Sequence, residues 1–431
     1  MKKTERKRVR ERAFAVGVNT ELTKEQFGYS MEELESLICV AGGEVIETVI
    51  QHRKTPDPAF FIGKGKVSDI QKRIEALRPD LIVFNSELSP VQVKNLEDSF
   101  ERKVVDRSEL ILDIFASRAR TRQACLSVEL AQLEYQLPRL KRMWTHLSRM
   151  EGGIGTRGPG EKQLEADRRL ARRQIGQYKK KLAKIEDRIE RWISSRSDEY
   201  NVALVGYTNT GKSTLMRRLS SKKVAVKDEL FATIDTRTAR VDLGDNNIIL
   251  LSDTVGFIDH IPHDLIESFK ATLMHAKNAD LLLHVIDSSS PEAERRIRTV
   301  DAILEEIGCG DIDILRVFNK IDITPDRVCI RDLAGKSDRA VIVSVQEGEN
   351  MDALVSLLKR IIREHRQVFR IEVDVRKGKL IAQIRRSAEI IECDYTENTA
   401  RMELYGTSEF AEYLSSRGVN VEEISEKECQ W

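Results

Sequence analysis

The sequence has no long apolar run and no clustered cysteines. None of its hydrophobic segments approaches the roughly 18 residues that a membrane-spanning helix needs, and its basic start precedes an apolar stretch too short for a signal peptide. Six cysteines are scattered without a C-x-x-C pair, which argues against a disulfide framework and a zinc site. We therefore expect a cytoplasmic protein without a membrane span; association of a part of it with membranes stays open as an alternative.

At 431 residues the chain is too long for one ordinary core, and its patterns divide it into four parts. Residues 1–110 alternate short β-rich runs with helical segments, which predicts a small α/β domain. Residues 111–198 carry leucines at heptad spacing and predict an antiparallel coiled-coil arm. Residues 199–367 predict a doubly wound, mostly parallel α/β domain, and residues 368–431 predict a small α+β domain. The predicted fold class is α/β.

The arm is predicted from two heptad series joined by a basic, glycine-rich tip at residues 152–161. The first series runs from Leu126 to Leu147 and the second from Ile175 to Trp192, so Tyr178 is expected to be a core residue. Pro138 should kink the first helix. The tip matches G-x-G-x-x-G, but it follows a helix instead of a strand, so we predict a tight turn and no nucleotide site there.

A phosphate-binding loop is predicted at residues 206–214, where GYTNTGKST follows the strand-like run NVALV and opens a helix. Backbone N–H groups of such a loop surround the β-phosphate, Lys212 reaches the β- and γ-phosphates, and Ser213 can ligate Mg²⁺. The predicted phosphate contacts are Gly206, Tyr207, Thr208, Asn209, Thr210, Gly211, Lys212, Ser213 and Thr214.

Two further motifs follow in the order of a guanine-nucleotide switch domain. DTVG, which comprises Asp253, Thr254, Val255 and Gly256, ends an apolar run; Asp253 can hold Mg²⁺ through a water, and the Gly256 N–H can contact the γ-phosphate. NKID contributes Asn319, Lys320 and Asp322. The Asp322 carboxylate can accept hydrogen bonds from N1–H and the amine of guanine, and adenine offers neither donor there.

The remaining nucleotide contacts are predicted from single segments. In FATIDTRT, Thr233 is the candidate for contacting Mg²⁺ and the γ-phosphate, flanked by Phe231 and Ala232, with Thr236 and Thr238 as alternatives. Ser344, Val345 and Gln346 are candidates for the last guanine loop. Lys212, Thr233 and Gly256 are the predicted catalytic contacts, with GTP or GDP and Mg²⁺ as ligands.

Phe257 stands where many GTPases have a glutamine that orients the attacking water. A phenyl ring cannot orient water, so we expect slow hydrolysis unless a partner or another residue supplies this function. His260 and His263 lie close by in the sequence; a surface position in the loop is the favoured interpretation for each, and a catalytic role is the alternative.

Positive charge is concentrated in the arm. Residues 139–181 contain thirteen Lys and Arg against four acidic residues, in a chain whose net charge is +1. Such a one-signed stretch favours a nucleic-acid contact over an ordinary solvated face. The candidates for RNA binding are Arg149, Arg157, Lys162, Arg168, Arg169, Arg172 and Arg173.

With these motifs in hand, the chain resembles the HflX family of ribosome-associated GTPases, in the Obg-HflX group of P-loop GTPases. The resemblance covers residues 10–365 and rests on GGIGTRGPGEKQLEADRRLARR, GYTNTGKSTL, FATIDTRT, DTVGFIDHIPHDL and NKID. It implies that the N-terminal domain and the arm dock on the large ribosomal subunit and its rRNA. It also implies that the ribosome stimulates the GTPase, and that the protein splits stalled or idle ribosomes, often under stress.

The sequence departs from the family pattern at Ala239, where an arginine is frequent, and at the SVQ run of residues 344–346, where Ser-Ala is more usual. ATP use by the N-terminal domain is not expected, because FFIGKGKV contains no phosphate loop. The alternatives are a signalling G protein with a protein effector, for which the coiled coil would dimerise the chain, and a large-subunit assembly factor. An RNA-remodelling ATPase conflicts with NKID. An arm formed within one chain favours a monomer.

Overall fold

A computed structural model describes residues 10–143, 159–194, 200–220, 237–258 and 274–424. In these residues the strands are β1 Glu11–Asn19, β2 Gly43–His52, β3 Leu81–Phe84, β4 Lys103–Asp106, β5 Tyr200–Val205, β6 Arg237–Asp242, β7 Ile248–Asp253, β8 Leu281–Asp287, β9 Asp313–Asn319, β10 Ala340–Ile342, β11 Gln367–Asp374, β12 Glu389–Tyr395, β13 Thr399–Gly406 and β14 Asn420–Ile424.

The helices of the same residues are α1 Lys24–Ala41, α2 Lys64–Leu77, α3 Pro90–Phe100, α4 Arg107–Arg118, α5 Arg122–Met143, α6 Pro159–Ser194, α7 Lys212–Leu219, α8 Ala293–Glu306, α9 Arg327–Gly335, α10 Met351–Glu364, α11 Gly378–Ser387 and α12 Ser408–Ser416. Among them, none combines the length and apolarity that crossing a membrane requires. The chain divides into two compact units, with the main boundary between Asp187 and Arg188.

The first unit contains a parallel sheet of order β2-β1-β3-β4. Its inner strands β1 and β3 are apolar throughout their centres because helices cover both faces of a parallel sheet. Phe14, Ile82 and Phe84 are fully buried. The helices begin at clear signals: Thr23 and Ser89 each close a capping box before α1 and α3. The small α/β domain predicted from the sequence is thus seen in the sheet.

Helices α5 and α6 pack through a small apolar cluster that includes Leu126, Leu130 and Leu182. An ion pair of 2.8 Å between the Lys179 ammonium and the Glu134 carboxylate also joins the two helices. Tyr178 packs against the same cluster, as the heptad pattern predicts. Pro138 lies inside the uninterrupted range of α5.

The second unit contains the largest sheet, of order β10-β9-β8-β5-β7-β6, in which β6 alone is antiparallel to its neighbour. Its core strands are runs such as VALV and LLLHV, whose members are almost all fully buried. This sheet confirms the predicted α/β class with a mostly parallel, doubly wound arrangement. Because parallel strands end at the same edge, the loops after β5, β7 and β9 converge there.

The last part of the chain forms an antiparallel sheet of order β12-β13-β11-β14, with α11 and α12. The sequence predicts strand, helix, strand, strand, helix, and the structure adds β14 after α12. That strand was missed because Asn420–Ile424 is short and acidic; its pairing with β11 supplies the order that its own sequence does not indicate.

A polar junction joins this antiparallel sheet to the turn between β6 and β7. The Asn246 amide donates to the Ala388 carbonyl at 2.9 Å, and the Asn247 amide donates to Glu389 at 2.9 Å. The Arg363 guanidinium also bonds Glu389, which raises the pKa of Arg363. Glu389 is buried, so it needs both partners.

Glu389→Ala should lower the free energy of unfolding by about 2 kcal/mol, because buried Asn247 loses the shorter of its two donated hydrogen bonds and partly exposed Arg363 loses its counter-ion. Denaturant unfolding would measure the loss. Glu412→Ala on the exposed side of α12 is the matched control and should be neutral. Equal stability of the two variants would contradict this account of the junction.

Candidate nucleotide-binding site

The predicted phosphate loop lies between β5 and α7. Gly211 caps α7 in the left-handed region with φ +98°, and a Cβ there would stand 2.3 Å from the Asn319 amide nitrogen, so no larger residue fits. Asn209 also has a positive φ. The turn therefore directs its backbone toward the start of α7, where N–H groups and the helix dipole favour an anion.

Lys212 is buried within this loop. Its ammonium donates to the carbonyl oxygens of Gly206 and Tyr207 at 2.9 and 2.7 Å, so the side chain folds back over the loop where phosphates would lie. Burial lowers the pKa of Lys212 to about 8, although the Asp253 carboxylate acts in the opposite direction. Burial thus disfavours the charged form of Lys212, and the negative charge of a bound polyphosphate would favour it.

Nucleotide binding should take up protons in alkaline solution. A lysine with a pKa of about 8 is roughly nine-tenths neutral at about pH 9, and phosphates raise that pKa because they favour the charged form. We expect GDP binding to take up most of a proton at about pH 9 and little at about pH 7, and we expect an affinity that falls as the pH rises above 8.

Calorimetric titration in two buffers of different ionisation enthalpy would measure this proton uptake. Lys212→Arg is the control, since a guanidinium stays charged at both pH values and should bind GDP without proton uptake. Proton uptake that is the same in wild type and in this variant would contradict the assignment to Lys212.

The two predicted Mg²⁺ ligands of the described residues lie together. The Ser213 hydroxyl donates to the Asp253 carboxylate at 2.7 Å, and Asp253 is fully buried at the end of β7. A hydroxyl beside a carboxylate is an oxygen donor set that suits Mg²⁺. Thr254 points away and donates to the Leu204 carbonyl at 2.7 Å, so its side chain holds the strand and only its backbone can serve a ligand. Val255 is buried.

The segment after Asp253 is paired with the phosphate loop. The Thr208 N–H donates to the Phe257 carbonyl at 2.8 Å, and the Phe257 N–H donates to the Gly206 carbonyl at 3.1 Å. A Cβ at Gly256 would stand 3.0 Å from the Thr208 Cα, which explains why this position has no side chain. The Thr208 N–H is therefore used within the protein, and the Phe257 side chain is buried and cannot orient a water.

In the NKID motif, Asn319 and Lys320 bond other groups of the protein, whereas Asp322 is exposed. The Asn319 amide donates to the Thr210 carbonyl at 2.8 Å and accepts from the Val345 N–H at 3.0 Å, so Asn319 links the phosphate loop to the last guanine loop. Lys320 bonds Asp287 at 2.7 Å. Asp322 lies in the 3-10 turn Ile321–Ile323 and is exposed, as a base-contacting carboxylate must be.

The last guanine loop is shaped by Ser344. Ser344 is fully buried, and its hydroxyl accepts from the Glu347 N–H at 3.2 Å, whereas Gln346 is exposed at the tip. Two supporting residues were missed in the sequence. Asp287 ends β8 and anchors Lys320, and the Arg296 guanidinium lies 4.6 Å from the ring centre of Tyr207. The strand end LLLHVID could have indicated Asp287, but no sequence signal indicates Arg296.

Several predicted residues lie outside the described residues: Phe231, Ala232, Thr233, Thr236, His260, His263, Arg149 and Arg157. Thr238 lies on β6, and its hydroxyl is 3.1 Å from that of Ser252. Ala239 is buried on the same strand.

Among the arm residues, Lys162 lies in α6, where its side chain is not described, and Arg169, Arg172 and Arg173 are exposed on that helix with Arg168 half-buried. Two other cations of the basic stretch are used within the protein. Arg139 bonds the fully buried Asp106 at 3.0 Å and stacks on Tyr135, and Lys179 bonds Glu134.

Comparison with known proteins identifies similar sequences along most of the chain. Three family descriptions match it: "GTP-binding GTPase N-terminal" over residues 28–116, "GTP-binding GTPase Middle Region" over 118–196 and "50S ribosome-binding GTPase" over 201–320. A protein named GTPase HflX from Lacrimispora saccharolytica is 42% identical over 408 residues, which are 94% of this chain and 96% of that protein.

GTPase HflX of Escherichia coli K12 is 45% identical over 349 residues, 80% of this chain and 82% of that protein. A solved structure of a GTP-binding protein from the archaeon Sulfolobus solfataricus in complex with GDP is 26% identical, covers 81% of this chain and 98% of its own, and superposes with a TM-score of 0.44.

Proposed function

The chain belongs to the HflX family of GTPases, which bind and hydrolyse GTP, and we propose that it acts on the large ribosomal subunit and separates stalled or idle ribosomes into subunits. The observation that carries the ribosomal part is the exposed basic face of α6, formed by Arg169, Arg172 and Arg173. Cations on one exposed helix face are suited to the phosphates of rRNA. We place the protein in the cytoplasm, where ribosomes are, as a monomer.

In this proposal the described residues divide the work of nucleotide binding. The phosphate loop and Lys212 hold the phosphates, Ser213 and Asp253 hold Mg²⁺, and Asp322 selects guanine. When bound, Mg²⁺ neutralises charge that develops on the phosphates during hydrolysis. Thr233 is proposed to complete the GTP-bound state together with the Gly256 N–H, so that binding to the ribosome depends on the nucleotide.

Hydrolysis is proposed to be slow in the isolated protein. The buried Phe257 leaves its position without a group that orients water, and the backbone of this residue is tied to the phosphate loop. A ribosome that moves this segment or supplies a polar group would stimulate the reaction, because positioning of the water is the missing contribution. This dependence links GTP hydrolysis to release from the subunit.

The test is sedimentation of purified intact ribosomes with the protein and GTP, or with a non-hydrolysable GTP analogue. Separated subunits with either nucleotide are expected, and intact ribosomes with both would overturn the splitting proposal. Stimulation of GTP hydrolysis by ribosomes separates this proposal from the signalling G protein, which should not respond to them. Binding restricted to incomplete large subunits would instead favour the assembly factor.

The role of the arm in ribosome binding is tested with Arg172→Glu and Arg173→Glu together. We expect pelleting with large subunits to fall on the order of tenfold or more, with GDP affinity unchanged, since two phosphate contacts become repulsive. The matched control reverses two exposed charges elsewhere, Arg331→Glu with Lys336→Glu. Equal loss of pelleting in both double variants would argue against a specific role of α6.

A further inference from the structure

A groove of about 620 Å³ lies between the sheet that carries the nucleotide site and the antiparallel sheet at the end of the chain. One wall comes from β6 and the turn before β7, and the other comes from α11, the end of β13 and the start of α12. The polar junction around Glu389 holds these two walls together. The groove is therefore a built feature, and its volume is in the range of small-molecule sites.

Three arginines from separate elements face this groove. Arg240 comes from β6, Arg366 from the segment after α10, and Arg386 from α11, while Glu409 is the acidic side chain among the lining residues. Arg366 is half-buried and donates to the Asn247 side chain at 3.0 Å. The groove thus has a net positive charge, and its shape concentrates that charge where an anion would enter.

The end of the groove at α12 adds two further features. Thr407 caps α12 by accepting from the Phe410 N–H, and it lines the groove, so the positive end of a nine-residue helix borders the groove. Tyr405 and Tyr413 are also among the lining residues, and the Gln383 amide donates to the Tyr413 hydroxyl at 3.0 Å. Aromatic rings beside cations are the combination that binds a nucleobase and its phosphate together.

We propose that this groove binds a ribonucleotide unit, with its phosphate at Arg240, Arg366 and Arg386 and its base against Tyr405 or Tyr413. The unit is either a free nucleotide or part of a single-stranded RNA. None of the lining residues belongs to the predicted GTP site or to the arm, so this proposal stands independently of the ribosome-splitting proposal. Free phosphate could bind the arginines, but it has no base to contact Tyr405 or Tyr413.

The experiment uses the full chain saturated with GDP, so that the GTP site is occupied. The protein carries Arg172→Gln and Arg173→Gln to remove RNA binding by the arm, and a fluorescein-labelled oligo(A) RNA reports binding by anisotropy. Adding Arg240→Gln and Arg386→Gln should weaken RNA binding on the order of tenfold, because two phosphate contacts are lost. GDP affinity should stay the same, which also shows that the variant is folded.

The matched control adds Arg331→Gln and Lys336→Gln to the same arm background, and its RNA affinity should be unchanged. Competition distinguishes the two sources: AMP that displaces the RNA indicates a site for free nucleotides, and RNA that resists AMP indicates a strand-binding site. Inorganic phosphate should compete weakly. The proposal is overturned if oligo(A) and labelled AMP bind the groove variant as tightly as they bind the control.

Discussion

Asp322→Asn should exchange the nucleotide preference of the protein from guanine to xanthine. The exposed Asp322 carboxylate is expected to accept from N1–H and the amine of guanine, and an asparagine amide presents one donor in place of an acceptor. Xanthine has a carbonyl where guanine has its amine, so the variant matches xanthine. At about 1–3 kcal/mol for each unmatched hydrogen bond, GTP affinity should fall on the order of 10³-fold.

Competition of GTP and XTP for hydrolysis by the wild type and the variant would measure this exchange. Asp326→Asn is a close control four residues away: Asp326 caps α9 through its side chain, and asparagine caps equally well. We expect that control to keep its preference for GTP. An Asp322→Asn protein that still prefers GTP would mean that another group selects the base.

Asn319→Ala should reduce nucleotide affinity on the order of 100-fold, although its side chain is predicted to act through the protein as well as at the ligand. Both groups that it bonds, the Thr210 carbonyl and the Val345 N–H, belong to buried residues and would lose their partner. Each unsatisfied backbone group costs about 1–3 kcal/mol. The phosphate loop and the guanine loop would then no longer be held at a fixed separation.

Fluorescence titration with a labelled GDP analogue, together with thermal unfolding, would measure the effect of Asn319→Ala. Asn319→Asp separates the two bonds, because a carboxylate can accept from Val345 but cannot donate to Thr210. We expect it to be as damaging as alanine. Asn398→Ala, at an exposed turn of the last sheet, should leave both measurements unchanged. An Asn319→Ala protein with normal GDP affinity would show that the link is dispensable.

The sequence indicated the chemistry of the site better than its construction. GYTNTGKST, DTVG and NKID predict which groups meet phosphate, Mg²⁺ and guanine, because each motif follows an apolar strand whose end is fixed by the parallel sheet. It did not indicate that Lys320 would bond Asp287 or that Arg296 would stack on Tyr207. Those partners lie on β8 and α8, and only folding brings them to the phosphate and guanine loops.

The basic arm likewise shows what the sequence does not indicate, in this case which of its charges are exposed. The charge count of residues 139–181 includes Arg139 and Lys179 among the exposed cations. In the structure, Arg139 pairs with Asp106 and Lys179 pairs with Glu134. A sequence gives the number of charges in a segment, whereas the exposed charge depends on which carboxylates the fold places beside them. The exposed cations that support RNA binding are therefore a smaller set on α6 than the count predicts.

By itself the sequence determined the α/β class, the antiparallel helices and the three nucleotide motifs. These features depend on local periodicity and on residues that lie within short continuous segments. The tertiary structure decided the pairing of β14, the link made by Asn319 and the groove lined by Arg240, Arg366 and Arg386. Each of these joins residues that are far apart in the chain. Their contacts form only when separate sheets and loops have packed, and no spacing in the sequence records them.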